Sequence, residues 1–359
     1  MFELEIFETV NILGLVLGTI FGMVAQKQQF CFSGSIKDYI LTKSTKRGAS
    51  VIMAMIVAII ATAIMSSIFE LDLSESKYYK ENINYFVIIA GGILFGIGMM
   101  LADGCGNRQL IKFAQGDNNS LITIIFIGIF AYATTKGLLY GVMSPIINNE
   151  TLIQLSSYIP NITMNIYLVL AVLVAILLFI IKKVKRIFTL WDGVVVGILI
   201  SLAWYISGVV GAESMEREIA LDGITFVYPT AKTVELFMYY EVNEFSFPIA
   251  LVCGVLLGTF IMSFINKKYS FGCTAAQNIN RTKYNMIGGA LMGTGGVLSI
   301  GCTVGQGLTG LSTLAFASAL AIISIMVSGT ITALILNRKN KLPMCFIFEW
   351  EDNPTDYQI

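Results

Sequence analysis

Histidine is absent from the 359-residue sequence. This absence excludes the commonest general base, histidine-containing zinc sites and the usual proton relay. Charged residues are also scarce, at 13%, whereas a soluble domain carries about a quarter. The 23 basic and 23 acidic residues cancel, so no net charge favours binding to nucleic acid. We therefore expect neither a histidine-dependent enzyme nor a nucleic-acid-binding protein, and no metal or cofactor site.

Cysteine is present but is not arranged for redox or zinc chemistry. The six cysteines are Cys31, Cys105, Cys253, Cys273, Cys302 and Cys345. None forms a CxxC pair, which argues against a thioredoxin-like motif and a zinc ribbon. The first residues, MFELEIFETVNILG, are acidic rather than basic and therefore do not resemble a cleaved signal peptide.

Hydrophobic residues make up 56% of the chain, and the mean hydropathy is +0.76. So much apolar surface requires lipid as a solvent, which predicts an all-α polytopic membrane protein with residues 1–359 in one transmembrane domain. Two runs, 10–25 and 286–301, are short for a span and lead into a cysteine, so we expect tilted, broken or re-entrant helices there. The nine hydrophobic runs are 10–25, 50–69, 85–102, 120–143, 164–181, 190–211, 247–265, 286–301 and 313–336.

The basic residues predict an orientation in the membrane. If the N-terminus is outside and all nine runs cross, 18 of the 23 basic residues fall in inside loops. The positive-inside rule favours this arrangement. We therefore expect a bacterial inner-membrane protein whose N-terminus is outside and whose C-terminus is cytoplasmic. Three charged residues lie in or beside predicted spans, where charge usually indicates function: Asp103, Lys136 and Asp192.

An internal repeat relates two glycine-rich segments. The segment 91–105, GGILFGIGMMLADGC, and the segment 288–302, GGALMGTGGVLSIGC, are identical at eight of fifteen positions with a constant offset of 197. Gln109 and Gln306 extend the match, and a weaker similarity relates the chain before Cys31 to that before Cys273. On the nine-run count the two strong segments cross in opposite directions, which is typical of transporters with inverted repeats. We predict repeat halves at about residues 8–143 and 247–337.

Both strong segments end in a thiol next to glycine. Much of the glycine spacing is the small-xxx-small pattern by which membrane helices pack closely. Gly104 and Gly301, however, place Cys105 and Cys302 at breaks between helices. A short helix is predicted to begin after Cys105, and the free N–H groups at its N-terminus would form an anion-binding site. Thiols are weak donors, so such a site suits a soft, polarisable anion.

Three segments carry a resemblance to a known family. They are QKQQFCFSGSIKDYILT at 26–42, GGILFGIGMMLADGCGNRQLIKFAQGDNNSL at 91–121 and GGALMGTGGVLSIGCTVGQGLTG at 288–310. They resemble the YeeE/YedE family of bacterial sulfur-transport membrane proteins. The resemblance implies thiosulfate uptake into the cytoplasm by an hourglass-shaped helical protein, often working beside a small cytoplasmic sulfur-carrier protein, here in trans. The cysteines that match those of the family are Cys31, Cys105, Cys302 and Cys273.

The resulting hypothesis is that a thiosulfate-like dianion steps between the thiols of Cys302, Cys105 and Cys31. Helix N-termini and the side chains of Gln109 and Gln306 would assist, and Arg108 and Lys112 would favour release toward the cytoplasm. Several weak sites suit conduction better than one tight site. The alternatives are a transporter of a selenium compound or another sulfur compound, a membrane thiol–disulfide oxidoreductase, and an assembly subunit that packs through its glycines.

Overall fold

The fold is a bundle of α-helices. The computed structural model describes residues 5–79, 84–141, 164–181, 190–214, 219–238, 245–267, 269 and 279–342, and no strand occurs among them. The α-helices in this part are α1 Ile6–Gln28, α2 Phe32–Leu41, α3 Lys46–Phe69, α4 Tyr85–Leu101, α5 Gly106–Ala114, α6 Asn118–Thr135, α7 Ile166–Ile181, α8 Trp191–Tyr205, α9 Val227–Met238, α10 Phe247–Ile265, α11 Ile279–Leu298 and α12 Phe316–Arg338. A π-helix, Gly305–Gly310, lies between α11 and α12.

The chain is a multi-pass membrane protein. Seven helical stretches are long and apolar enough to cross a bilayer: Ile6–Leu41, Lys46–Phe69, Tyr85–Ala114, Asn118–Thr135, Trp191–Glu213, Phe247–Ile265 and Phe316–Arg338. Large apolar side chains are exposed along their outer faces, for example Ile64 and Ile331, as expected where lipid is the solvent. Each of the nine predicted runs coincides with a helix, but the count of nine crossings stays a prediction.

The short helices do not lie where the hydrophobic runs predicted them. Polar residues extend α1 to 23 residues and α11 to 20 residues, although their apolar runs are shorter. The short helices are instead α2, α5 and the π-helix Gly305–Gly310, and each follows a cysteine within a few residues. Hydropathy missed them because their buried faces are polar and contact protein rather than lipid.

Close helix packing holds the bundle together. Helix α1 packs along α10, α3 along α8, and α4 lies against both α11 and α12. At the first of these interfaces, a Cβ on Gly18 would lie 2.3 Å from the carbonyl oxygen of Leu251. Only glycine therefore permits the two backbones to come this close, as the small-xxx-small pattern predicted.

Candidate functional site

The loop that carries Cys105 is held by one glutamine. After α4, Asp103 adopts a left-handed conformation with φ 60°, and Gly104 has φ 153°. The Nε2 atom of Gln109 donates to the carbonyl oxygens of Ala102 at 2.6 Å and Gly104 at 3.2 Å. A Cβ on Gly104 would lie 2.7 Å from Cγ of Arg108, so both the backbone angle and the space require glycine.

The loop that carries Cys302 has a related backbone arrangement. Ile300, at the position equivalent to Asp103, has φ 58°, whereas Gly301 does not share the positive φ of Gly104. The Nε2 atom of Gln306 donates to the carbonyl oxygen of Ser299 at 2.5 Å, as Gln109 does at the equivalent Ala102. The two loops thus share a left-handed residue, and the amide groups of both glutamines hold the turn. The extent of the repeat halves and their inversion stay predictions.

Each of the three cysteines stands at the start of a short helix. Cys31 is the N-cap of α2, and its Sγ accepts from the N–H of Gly34 at 3.3 Å. Cys302 Sγ accepts from the N–H of Gly305, also at 3.3 Å. Cys105 is the N-cap of α5, and the N–H of Arg108, again three residues on, faces its sulfur without closing a cap bond of standard geometry. The positive ends of three helices therefore point at three thiols.

The thiols form an ordered series through the protein interior. The thiols of Cys31 and Cys105 lie close enough to interact, without a hydrogen bond of standard geometry, and all three cysteines are at most 3% exposed. The hydroxyl of Thr303 faces the Cys105 thiol and has no hydrogen bond of standard geometry to any described residue. Next along the chain, Cys302 Sγ lies 3.9 Å from Oγ1 of Thr225. The series therefore runs from Thr225 and Cys302, through Thr303, to Cys105 and Cys31.

A cavity of about 1170 Å³, here called the vestibule, lies at the Cys302 end of the series. Thr225 and Gly301 are part of its wall, so it reaches the backbone next to Cys302. Its described ionisable lining residues are Glu70, Asp72, Glu75, Asp222 and Lys77.

The ammonium group of Lys77 lies 3.0 Å from a carboxylate oxygen of Asp222. Burial alone would favour the neutral amine, but this carboxylate raises the pKa of Lys77 above its ordinary value, so the side chain stays charged. Burial also raises the pKa of Tyr78, which keeps that hydroxyl protonated. The hydroxyl has no hydrogen-bond partner among the described residues and is a spare donor close to Cys302.

The other end of the series is rich in buried positive charge. The carboxylate of Asp103 accepts from Lys37, from Lys112 at 2.5 Å and from Arg281 at 3.2 Å. Arg108 donates to the side-chain oxygen of Gln29, and its charge faces Cys31.

A further ion pair at this end joins Arg47 to Asp38 at 3.2 Å. These two residues complete a group that we name the cationic cluster. With five cations and two carboxylates, it has an excess of three positive charges. Its members are Lys37, Arg47, Arg108, Lys112, Arg281, Asp38 and Asp103.

Helix α3 shows how far apart the two ends are. Arg47, in its first turn, belongs to the cationic cluster, whereas Phe69, its last residue, lines the vestibule. A helix of 24 residues is about 36 Å long, which exceeds the thickness of a bilayer's hydrocarbon core. The buried thiols therefore lie between an acid-lined cavity at one end of α3 and a basic cluster at the other.

Comparison with known proteins identifies the family of the chain. The model of a family described as sulphur transport matches residues 27–332. The chain belongs to this family. It is 25% identical to the thiosulfate transporter TsuA of Spirochaeta thermophila over 343 residues, which cover 91% of this chain and 99% of that protein. It is 23% identical to the thiosulfate transporter TsuA of Escherichia coli over 82% of this chain and 86% of that one. A shorter match, 30% identical over 104 residues, covers 29% of this chain and 24% of the probable transporter YedE of Escherichia coli.

The structure of this sulphur-transport family member brings most of the predicted site residues together. Cys31, Cys105 and Cys302 belong to one series, and Arg108 lies beside it. Arg108 is buried among protein groups rather than placed at a solvated face, as is Lys112. The roles of all these residues at a substrate stay predictions. Cys273 lies outside the described residues.

Sequence reasoning missed several residues of the site. Thr303 directly follows Cys302, and Gln29 stands two residues before Cys31, so proximity in sequence could have indicated both. Thr225, Lys37 and Arg281 had no such signal. Lys136, predicted inside a span, instead follows the last residue of α6, is 62% exposed and lies 4.0 Å from Glu235.

Proposed function

We propose that the protein is an inner-membrane transporter that takes up thiosulfate, or a closely related small sulfur anion, into the cytoplasm. The observation that carries the proposal is the burial of three thiols, those of Cys31, Cys105 and Cys302, each at the start of a short helix. Two of them, Cys31 and Cys105, are 74 residues apart in the sequence and lie near each other in the fold. The names of the two TsuA relatives support thiosulfate as the substrate.

The chemistry of the series fits this class of anion. Thiosulfate has a soft terminal sulfur that can accept weak S–H hydrogen bonds and hard oxygens that prefer N–H and O–H donors. Each thiol stands at a helix N-terminus, where N–H groups favour negative charge. The hydroxyls of Thr225, Thr303 and Tyr78 add donors between the thiols and the vestibule. Successive weak contacts permit an ion to move on, whereas one tight site would hold it.

The charge distribution supports the inward direction. By the positive-inside rule the cationic cluster faces the cytoplasm, with the N-terminus outside and the C-terminus inside. The vestibule then opens to the periplasm. A dianion would move from an acid-lined mouth, past the thiols, toward Arg108 and Lys112. A small cytoplasmic sulfur-carrier protein would receive it there in trans.

Uptake of ³⁵S-labelled thiosulfate tests the proposal. The host is a bacterium that lacks its own thiosulfate uptake and needs thiosulfate as sulfur source. Wild-type protein should restore growth and uptake, while Cys31→Ala, Cys105→Ala and Cys302→Ala should each lower uptake at least about tenfold at equal protein level, because each removes one step of the series. Cys253→Ala is the matched control, since Cys253 lies in α10 and is only half-buried.

Each outcome has a separate meaning. Uptake by all three alanine variants would keep the transporter and reject the thiol series. No uptake by wild-type protein that is present in the membrane would reject thiosulfate, and direct uptake assays with selenite, sulfite and sulfide would then identify the anion.

A second candidate, a thiol–disulfide oxidoreductase, is favoured only by the contact of Cys31 with Cys105. Oxidation of this pair to a disulfide would release two protons and two electrons, for which an acceptor such as a quinone is needed. The transporter proposal expects that oxidation with copper phenanthroline joins Cys31 to Cys105, blocks uptake and is reversed by dithiothreitol. Uptake that requires repeated oxidation and reduction of the pair would favour the oxidoreductase.

A further inference from the structure

One buried carboxylate joins the helices behind all three cysteines. Asp103 lies in the turn just before Cys105, and its carboxylate binds Lys37 of α2, Lys112 of α5 and Arg281 of α11. Helix α2 begins after Cys31, α5 begins after Cys105, and α11 leads to Cys302. A change at this carboxylate therefore acts on the segments that hold every thiol of the series.

Several cations surround this carboxylate. Three of them share it, while Arg47 pairs with Asp38 and Arg108 donates to the amide oxygen of Gln29. Asp103, Lys37, Lys112 and Arg108 are all at most 8% exposed. A buried cation needs a counter-charge, so an anion that arrives here can take the place of the shared carboxylate at these cations.

We infer that Asp103 is a tethered counter-anion that competes with the travelling dianion for Lys37, Lys112 and Arg281. The inference rests on the proposed function and adds a second anion site, on the cytoplasmic side of Cys31. In this structure Asp103 is paired with the three cations, and the pathway is closed at this point. A dianion that leaves Cys31 takes over some of these contacts, which loosens the junction of α2, α5 and α11. The return of Asp103 then expels the dianion.

The position of Asp103 suits this exchange. It sits in a tight turn between α4 and α5 and is followed by Gly104, which has no side chain. The other carboxylate of the cluster, Asp38, lies inside α2 and pairs with Arg47. Asp103, by contrast, lies in a turn and pairs with cations of three different helices.

Dianion binding to the purified full-length protein tests the inference. The variant is Asp103→Asn, which keeps shape and removes the charge, and the probes are sodium thiosulfate, sodium sulfate and sodium chloride at constant ionic strength. We expect the dissociation constant of both dianions to fall on the order of tenfold, because one competing charge is gone. Chloride should bind no more tightly to the Asp103→Asn variant than to the wild-type protein. Thermal unfolding should show a lower midpoint without dianion and a larger rise with dianion than in wild type.

A matched control separates charge from position. Asp192→Asn removes a carboxylate that is equally buried but belongs to α8, outside the cationic cluster. Its dianion dissociation constant should change less than about twofold, as expected for a charge that is not in the site. In uptake assays Asp103→Asn should lower KM and also lower the maximal rate, because release becomes slow.

Unchanged dianion affinity in a folded Asp103→Asn protein would overturn the inference, as would an equal gain in Asp192→Asn. If Asp103→Asn does not fold, Arg281→Gln decides, because it removes the least buried of the three cations. The dissociation constant should then rise about fivefold, and an unchanged value would overturn the inference. If the wild-type protein takes up thiosulfate but neither variant changes dianion affinity, the counter-anion role of Asp103 is rejected and the proposed function stands. If the variants shift dianion affinity as expected but cells take up no thiosulfate, the proposed substrate is rejected and the counter-anion role stands.

Discussion

The Cys105 loop and the Cys302 loop have related backbones and two different environments. Both have a left-handed residue, a glycine, a cysteine and a glutamine that bonds back to the loop. At three of the equivalent positions where they differ, the first loop carries a charged side chain and the second does not. The pairs are Asp103 with Ile300, Arg108 with Gly305, and Lys112 with Thr309.

The comparison separates the interactions that set the backbone of a loop from those that set the electrostatic environment of its cysteine. Short-range hydrogen bonds and glycine set the backbone, and these features are shared. Long-range partners set the electrostatics, and these differ because the Cys105 loop meets α2 and α11 whereas the Cys302 loop borders the vestibule. The same turn thus presents a thiol to a cationic cluster in one place and to a cavity in the other.

The largest difference should come from adding one methyl group to each glycine. Gly104→Ala combines an unfavourable φ with a distance of 2.7 Å between the added Cβ and Cγ of Arg108. It should lower the free energy of unfolding by about 3 kcal/mol. At Gly301 the added Cβ would lie 3.3 Å from Cγ of Gln306, so Gly301→Ala should cost less than about 1 kcal/mol. Thermal unfolding in detergent measures both. Equal costs would show that the loops are not distinguished by Gly104.

Replacing each glutamine by methionine should give the next largest difference. Gln109→Met removes donors from two buried carbonyl oxygens, at about 1–3 kcal/mol each. Gln306→Met removes one, because the Ser299 hydroxyl still donates to the carbonyl oxygen of Gly301 at 2.9 Å. Unfolding measurements should therefore show that Gln109→Met lowers the free energy of unfolding about twice as much as Gln306→Met does. A greater loss for Gln306→Met would contradict this reading, and Gln115→Met is a control outside both loops.

The smallest effect concerns Ile300, a β-branched residue with φ 58°. Branching at Cβ makes this backbone conformation costly, and leucine is branched one carbon farther out. Ile300→Leu should therefore raise the stability by a few tenths of a kcal/mol. Ile300→Val keeps the branch and loses a methyl group from the contact with Tyr85 and Ile88, so it should be less stable than wild type. A Leu variant no more stable than the Val variant would mean that packing, not strain, dominates.

Local properties of the sequence determined the class of this protein and the identity of its key loops. Hydropathy and glycine spacing act over a few residues, so composition and pattern alone predicted a helical membrane protein. The offset of 197 identified two loops that share a left-handed residue and a glutamine bonded back to the loop. The short helix after Cys105 was predicted from its residues, whereas α2 and the π-helix Gly305–Gly310 were not, because hydropathy responds to contact with lipid.

Only the tertiary structure decided which side chains meet. Asp103 reaches Lys37 across 66 residues and Arg281 across 178, and Cys31 meets Cys105 across 74. No spacing in the sequence encodes such pairs, because they depend on how α2, α4 and α11 pack. Asp103 and Lys136 looked alike as charges near predicted spans, yet one is buried among three cations and the other is largely exposed. The physical reason is that a charge acquires its role from the groups that the fold brings around it.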